Sequence, residues 1–300
     1  MKRSYFYYLT HPSVGIPALL AKVSVRYAIK QQWNELMNYP LNLANPQSYN
    51  EKLQWLKLYD HNPLYTTLVD KYRVKAWVAD KIGPQYVIPT LAVWQRADDV
   101  DIKSFPNQFV LKCNHDSGSV IICKDKATFD LNAAKELLRN SLKKNFYYAG
   151  WEWPYKKVKP CVFAESYMED GITHDLRDYK FFCFDGIVKA AFVATDRQST
   201  TEETKFDFFD VNYRHLDVTN GHPNTPPSLI PPKPNEWEEM VRIAELLSDG
   251  IPHVRCDLYC INGKIYFGEM TFYHWGGFKP FNPQKWDYIF GDWLTLPKNI

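Results

Sequence analysis

HVRCDLYCINGKIYFGEMTF, residues 253–272, alternates apolar and polar residues on both sides of Asn262-Gly263. A period of two around a central Asn-Gly predicts two antiparallel strands joined as a hairpin. Arg255 and Asp257 share a face of the first strand, and Glu269 and Thr271 share a face of the second. Whether the two faces coincide depends on the turn. A two-residue turn with straight pairing sets Asp257 opposite Gly268 and sends Glu269 to the other side. A three-residue turn, Ile261-Asn262-Gly263, pairs Arg255 with Glu269 and gathers all four side chains. Magnesium requires oxygen ligands about 2.1 Å from one point. The sequence therefore predicts the odd-length turn, or an equivalent bulge, if the two acids hold a metal. The alternative is an Arg–carboxylate ion pair on a solvent-facing sheet.

Working upstream, FVLKCNHDSGSVIICK (109–124) places Lys112 on an apolar strand. A polar loop follows, with Asn114, His115, Asp116, Ser117, Gly118 and Ser119, and then the chain returns as a strand. Such a loop can offer backbone N–H groups to a polyphosphate while Lys112 supplies a point charge. An ordinary hairpin tip is the alternative. There is no GxxxxGK[ST] run, so this is not a Walker A loop. CVFAESYMED (161–170) runs from an apolar strand into polar residues, and its free backbone edge can pair with an adenine. Lys180 stands inside the apolar run that begins at Asp178, so it needs a counter-charge, either a phosphate or a carboxylate.

The remaining pattern mixes helices and strands without strict alternation, which predicts an α+β fold. Helices are expected over 16–38, 49–59, 64–82, 129–145 and 236–250, and a strand over 87–94. Strands are also expected over 160–168 and 179–193. Residues 195–206 and the six-proline stretch 219–236 read as polar loops. The first helix carries Lys22, Arg26 and Lys30. That is either a solvated face or a surface for weak association with a membrane or partner.

The chain has 300 residues with 45% hydrophobic, 23% charged and 16% aromatic residues, an ordinary globular composition apart from the aromatic excess. A formal net charge of +2 gives no electrostatic case for nucleic-acid binding. Six cysteines without a CxxC pair read as reduced core residues of a cytoplasmic protein. The N-terminal SYFYYL run is too short for a signal sequence, and no stretch suits a membrane span. The histidines form no HxxxH or HExxH pair, which argues against zinc. Asp99-Val100-Asp101 forms a DxD, as in some metal-dependent glycosyltransferases, but lies in a polar linker.

NEKLQWLKLYD, LVDKYRVKAWVADKIG, FVLKCNHDSGSVIICKDK, FAESYMED, DYKFFCFDG and VRCDLYCINGKIYFGEMTF occur in that order over most of residues 49–290. Together they resemble the TupA-like branch of the ATP-grasp superfamily, associated with teichuronopeptide and other surface-polysaccharide biosynthesis. The resemblance implies two α+β lobes gripping ATP behind a helical N-terminal lead. Residues 1–105 would form the lead, 106–168 the central lobe and 169–300 the C-terminal lobe.

Lys112 would touch the phosphates, and Asn114, Ser117, Gly118 and Ser119 would close over them. Glu165, Tyr167 and Met168 would form the adenine hinge. Lys180 and Lys205 would add phosphate contacts, and Asp257 and Glu269 would hold magnesium. Thr271 would be a third, weaker metal ligand at a position that is usually Asn among ATP-grasp enzymes, and His274-Trp275-Gly276-Gly277 replaces a Pro-containing turn. The implied activity is ATP- and magnesium-dependent ligation through an acyl phosphate, with Arg255 stabilising the oxyanion. The implied substrates are a uronic acid of a glycan precursor and an amino acid or other amine. A sugar kinase on the same scaffold, a glycosyltransferase and a non-catalytic binding module that keeps the fold are the alternatives.

Overall fold

The computed structural model describes residues 24–171, 177–196 and 202–298. Its larger sheet grows around one strand that the sequence marks clearly. Every residue of β5 (Asp178–Phe184) is buried, because the strand is covered on both faces. Phe181 packs on Trp237 of the amphipathic helix α7 (Trp237–Ser248), whose Met240, Ile243, Ala244 and Leu247 follow a helical repeat. Phe182 and Phe184 face the other way, onto Tyr49 of α2 (Tyr49–Tyr59) and Phe290 of α8 (Lys285–Trp293). α2 starts at a reciprocal cap: the Ser48 hydroxyl accepts from the Glu51 N–H, and the Glu51 carboxylate accepts from the Ser48 N–H.

Six antiparallel strands make this sheet, in the order β10 (Lys264–Thr271), β9 (His253–Ile261), β5, β6 (Ile187–Thr195), β7 (Lys205–Asp210), β8 (His215–Leu216). A smaller antiparallel sheet has the order β1 (Thr90–Trp94), β4 (Val162–Ser166), β2 (Phe109–Cys113), β3 (Ile121–Cys123). One face of it, with Phe109, Leu111, Cys113, Val162 and Ala164, is buried against Ala134 and Leu138 of α5 (Leu131–Leu142). The opposite face carries Val110, Lys112 and Glu165. β1 belongs to this sheet, which therefore reaches back to Thr90.

The helix α1 (Val25–Leu36) buries Ala28, Ile29 and Trp33 against Tyr147, Trp151 and Phe278. Arg26 and Lys30 lie on its exposed side, and Lys22 and the start of the expected 16–38 helix fall outside the described residues. No helix among the described residues is long and apolar enough to cross a membrane.

Three expectations need correction. The helix expected over 64–82 is two helices, α3 (Leu64–Leu68) and α4 (Val74–Ile82). The break comes where the Asp70 carboxylate accepts from the N–H groups of Tyr72 and Arg73 and so competes with helical pairing. Residues 195 and 205–206, read as loop, belong to β6 and β7, while 197–201 lie outside the described residues. The helix α8 follows a proline and was not anticipated.

His253, 2% exposed, fixes the start of β9. Its Nδ1 donates to the Cys183 carbonyl at 2.8 Å and its Nε2 pairs with the Tyr49 hydroxyl at 2.9 Å. Burial pushes its pKa down to about 3. The neutral ring therefore contributes stability that is fully present above about pH 6.5 and is lost as pH falls toward 3. Urea unfolding of wild type and His253→Gln should show their stability difference narrowing by about 1.4 kcal/mol per pH unit across that window. A pH-independent difference would contradict the assignment.

Candidate active site

The hairpin solves its register problem differently from the three-residue turn. Asn262 (φ 50°) and Gly263 (φ 73°) form a two-residue turn, and Lys264 pairs with Ile261. Pairing continues to Phe267 opposite Leu258, and then Gly268 bulges out. Beyond it Glu269 lies opposite Asp257 and Thr271 opposite Arg255. One extra residue on β10 returns both acids to one face. Gly268 is needed for this, since a Cβ there would lie 3.0 Å from the Asp257 carbonyl oxygen. On the other side of β9, Lys180 lies opposite Asp257. Glu269, Asp257 and Lys180 thus form a row across three strands, about 4.8 Å apart per strand.

Asp257 is 1% exposed and satisfied by cations. Arg255 donates to both its oxygens at 2.7 Å, and Lys180 pairs with it from β5. Lys180 also lies 3.2 Å from Asp178. Burial lowers the pKa of Lys180, opposed by Asp257. Glu269 is 3.7 Å from Arg255 and 3.3 Å from Lys71. Burial pulls its pKa upward, but Lys71, Lys180 and Arg255 outweigh that and hold it well below the usual carboxylate range. The carboxylate therefore stays charged and able to bind a cation.

The Arg255 guanidinium is fixed by further partners. It donates to Thr271 Oγ1 at 3.0 Å and to His274 Nδ1 at 2.6 Å. Because arginine only donates, His274 must be neutral with its proton on Nε2, which points 2.9 Å from Asn220 Oδ1. Burial, Arg255 and Lys180 all press the His274 pKa well below its ordinary value. Thr271 thus orients the arginine, a more definite task than metal ligation.

Across from this row stands the polar face of the small sheet. Glu165 pairs with Lys112 and, at 2.7 Å, with Lys75 of α4. Burial opposes its ionisation, but Lys112 and then Lys75 overcome that and lower its pKa. A cavity of about 210 Å³ opens beside these groups. It is lined by Ile88, Val110, Lys112, Ile122, residues 165–168 and, from the large sheet, Tyr259. Tyr167 and Met168 line this cavity, while the Glu165 side chain pairs with the lysines. The two sheets are tied by Lys71, whose Nζ donates to the Asp116 carbonyl while pairing with Glu269.

The loop after β2 is held largely by its own side chains. Asn114 donates to Asp70 and to the Lys159 carbonyl and accepts from the Cys161 N–H. Ser119 accepts from the Cys113 N–H and donates to Asp116. Both side chains are committed to loop shape, leaving backbone groups for any ligand. Ser117 and Gly118 are at the tip, with Gly118 at φ 107° and open space around it. Lys205 donates to the Glu203 carbonyl at 2.7 Å and is not drawn into the acid row. Asp99 lies near Arg96, and Asp101 accepts from the Lys103 N–H, so the DxD is a surface turn.

Lys71, Lys75 and His274 escaped the sequence reading as site residues. The lysines are spaced i, i+4 within the segment read as one helix, and that spacing alone does not say what they meet. Asp257 and Glu269 suit magnesium, which commonly takes one or two carboxylates and completes its shell with phosphate and water. Among the described residues no three His, Cys, Asp or Glu side chains form a closed metal cage.

The bulge yields a specific expectation. Gly268→Val puts a Cβ against the Asp257 carbonyl oxygen and should favour straight pairing, which sets residue 268 opposite Asp257 and turns Glu269 to the opposite face while keeping the Asn262-Gly263 turn. The stabilisation of the chain by magnesium–ADP in a thermal melt should then disappear, while circular dichroism stays near wild type. Undiminished stabilisation would show that the shared face is irrelevant to nucleotide binding.

A search of curated protein sequences found no match. Solved structures that align include the ATP-grasp ligase PsnB with its minimal precursor (13% identity, TM-score 0.41, 85% of this chain and 64% of that one). The D-alanine–D-alanine ligase from Bacillus anthracis complexed with ATP gives 14% identity, TM-score 0.44 and coverage of 75% and 63%. N5-carboxyaminoimidazole synthetase from Staphylococcus aureus complexed with ADP gives 14%, 0.41, 82% and 58%. The chain thus spans less than two thirds of each of these proteins. A family model described as TupA-like ATPgrasp matches residues 51–295, a span that includes both sheets and every residue of the acid row. The chain belongs to the TupA-like ATP-grasp family.

Proposed function

We propose that the chain is an ATP- and magnesium-dependent ligase that activates a carboxylate as an acyl phosphate and joins it to an amine. The observation that carries this reading is the Glu269–Asp257–Lys180 row, with Arg255, facing Lys112 and the cavity of the small sheet. The cavity takes the adenine along residues 165–168. Lys112, Lys71 and Lys180 supply positive charge for the phosphates, with the backbone of 115–118 closing over them. Asp257 and Glu269 hold magnesium, which when bound neutralises charge on the phosphoryl oxygens. Arg255, locked by Asp257, Thr271 and His274, receives the oxyanion that forms as the amine attacks the activated carbonyl. We take 106–168 as the central lobe, joined by β1, and 169–300 as the C-terminal lobe.

The substrates proposed are a uronic acid of a surface-polysaccharide or capsule precursor, and an amino acid or other amine, a reading that the likeness to the TupA-like branch supports. The reaction is placed in the cytoplasm, which supplies ATP, and the six unpaired cysteines fit that reducing compartment. The exposed Arg26 and Lys30 support a weak membrane-surface contact where a lipid-linked precursor would be met.

Incubation with magnesium–ATP, candidate uronates and amino acids tests the reading by mass spectrometry. Amide together with ADP and phosphate is the expected result. A phosphorylated sugar would instead identify a kinase, and UDP released from a sugar nucleotide would identify a glycosyltransferase. Asp257→Asn and Glu269→Gln should each lower turnover by at least about 100-fold, and full activity in both would contradict the metal assignment.

A further inference from the structure

Glu152 lies between Trp151 and Trp153 in the connection that precedes β4, and it is 7% exposed. Its oxygens make no hydrogen bond or ion pair within 4 Å among the described residues, although charged groups surround it. A methyl group placed on Gly276, in the turn after β10, would lie 3.8 Å from Glu152 Oε1 and 3.9 Å from Lys57 Nζ. Lys57 is committed elsewhere, donating to Gln54 Oε1 and to the Gly276 carbonyl. Arg255 is committed to Asp257, Thr271 and His274. The carboxylate has no protein donor, yet its oxygens are not sealed from solvent, as expected of a group lining a site that a ligand enters.

The groups that act on Glu152 come from every side: Lys57 from α2, Arg255 from β9, Glu269 from β10, and Tyr155 and Tyr273 beside it. Burial, the largest influence, raises its pKa, with Lys57 and Arg255 opposing. Gly276 belongs to the same turn as His274, which accepts from Arg255, so the carboxylate lies on the Arg255 side of the site and does not line the adenine cavity.

We propose that Glu152 receives the ammonium group of the amine substrate and takes its proton. This rests on the ligase reading above. In the step, one N–H bond of the ammonium breaks and an O–H bond forms on Glu152, which frees the nitrogen lone pair. That pair forms the C–N bond to the acyl phosphate carbonyl. The C–O bond to phosphate breaks, phosphate leaves with its electron pair, and the second nitrogen proton passes to phosphate or water. Glu152 returns its proton to solvent.

Two readouts test it on the full chain. In protein labelled with ¹³C at glutamate carboxyls, the Glu152 resonance is the one lost in Glu152→Gln. Glycinamide, added with magnesium and a non-hydrolysable ATP analogue, should shift that resonance, and magnesium alone should not. No response to glycinamide, or a response to magnesium alone, overturns the proposal. The second readout compares nucleophiles at neutral pH. Glu152→Gln should lose at least about 100-fold in amide formation with an amino acid, within the range of general-base contributions. It should retain hydroxamate formation with hydroxylamine, which is largely unprotonated there. Equal losses with both nucleophiles would mark a structural role and overturn the proposal. A wild-type chain that makes neither ADP nor hydroxamate counts against the ligase reading instead, and the resonance shift then decides the amine contact by itself.

Discussion

The carboxylate of Asp257 is the constraint around which the site is organised. It is shut away from water, and its charge persists because Arg255 grips both oxygens while Lys180 pairs from the next strand. Removing either partner would leave an uncompensated buried charge, a change that typically costs about 3–5 kcal/mol. β9 is hydrogen-bonded to β5 on one side and β10 on the other. The position of this one acid therefore sets where Lys180 and Glu269 can stand. Three carboxylates, Asp178, Asp257 and Glu269, are balanced by Lys71, Lys180 and Arg255. That balance lets the fold hold so much charge beneath an aromatic core.

Charge balance also links the parts of the molecule. Lys71 joins the loop after β2 to Glu269, and Lys75 joins α4 to Glu165. Both lysines come from the broken helical segment around Asp70, so the break in that helix places them. Arg255 is tied through His274 to Asn220, which in turn donates to the carbonyls of Lys279 and Pro280. The proline-rich loop is thereby attached to the chemistry through one neutral histidine.

Much of this was legible beforehand for physical reasons. β5 and α7 announce themselves by continuous apolar runs and by a helical repeat, and the Asn-Gly turn by its left-handed requirement. The pairing of Asp257 with Glu269 was legible only as a condition, because strand alternation cannot reveal where a ladder takes an extra residue. Gly268, an isolated glycine in a strand, is the signal that decides between the longer turn and the equivalent bulge, both of which satisfy the shared face. Lys71 and Lys75 were hidden because helical spacing describes a face without saying what the face meets. Asn114 and Ser119 read as ligand groups because polar loop residues do, and only the folded chain shows their bonds to Asp70, Lys159, Cys161, Cys113 and Asp116. Glu152 carried no motif at all, since its isolation is a property of packing.

The most direct test of the central claim is a crystal structure with magnesium and a non-hydrolysable ATP analogue. The account predicts one magnesium held by oxygens of both Asp257 and Glu269, with the triphosphate reaching Lys112 and the base beside residues 165–168. A nucleotide bound elsewhere, or a metal that touches neither acid, would contradict it.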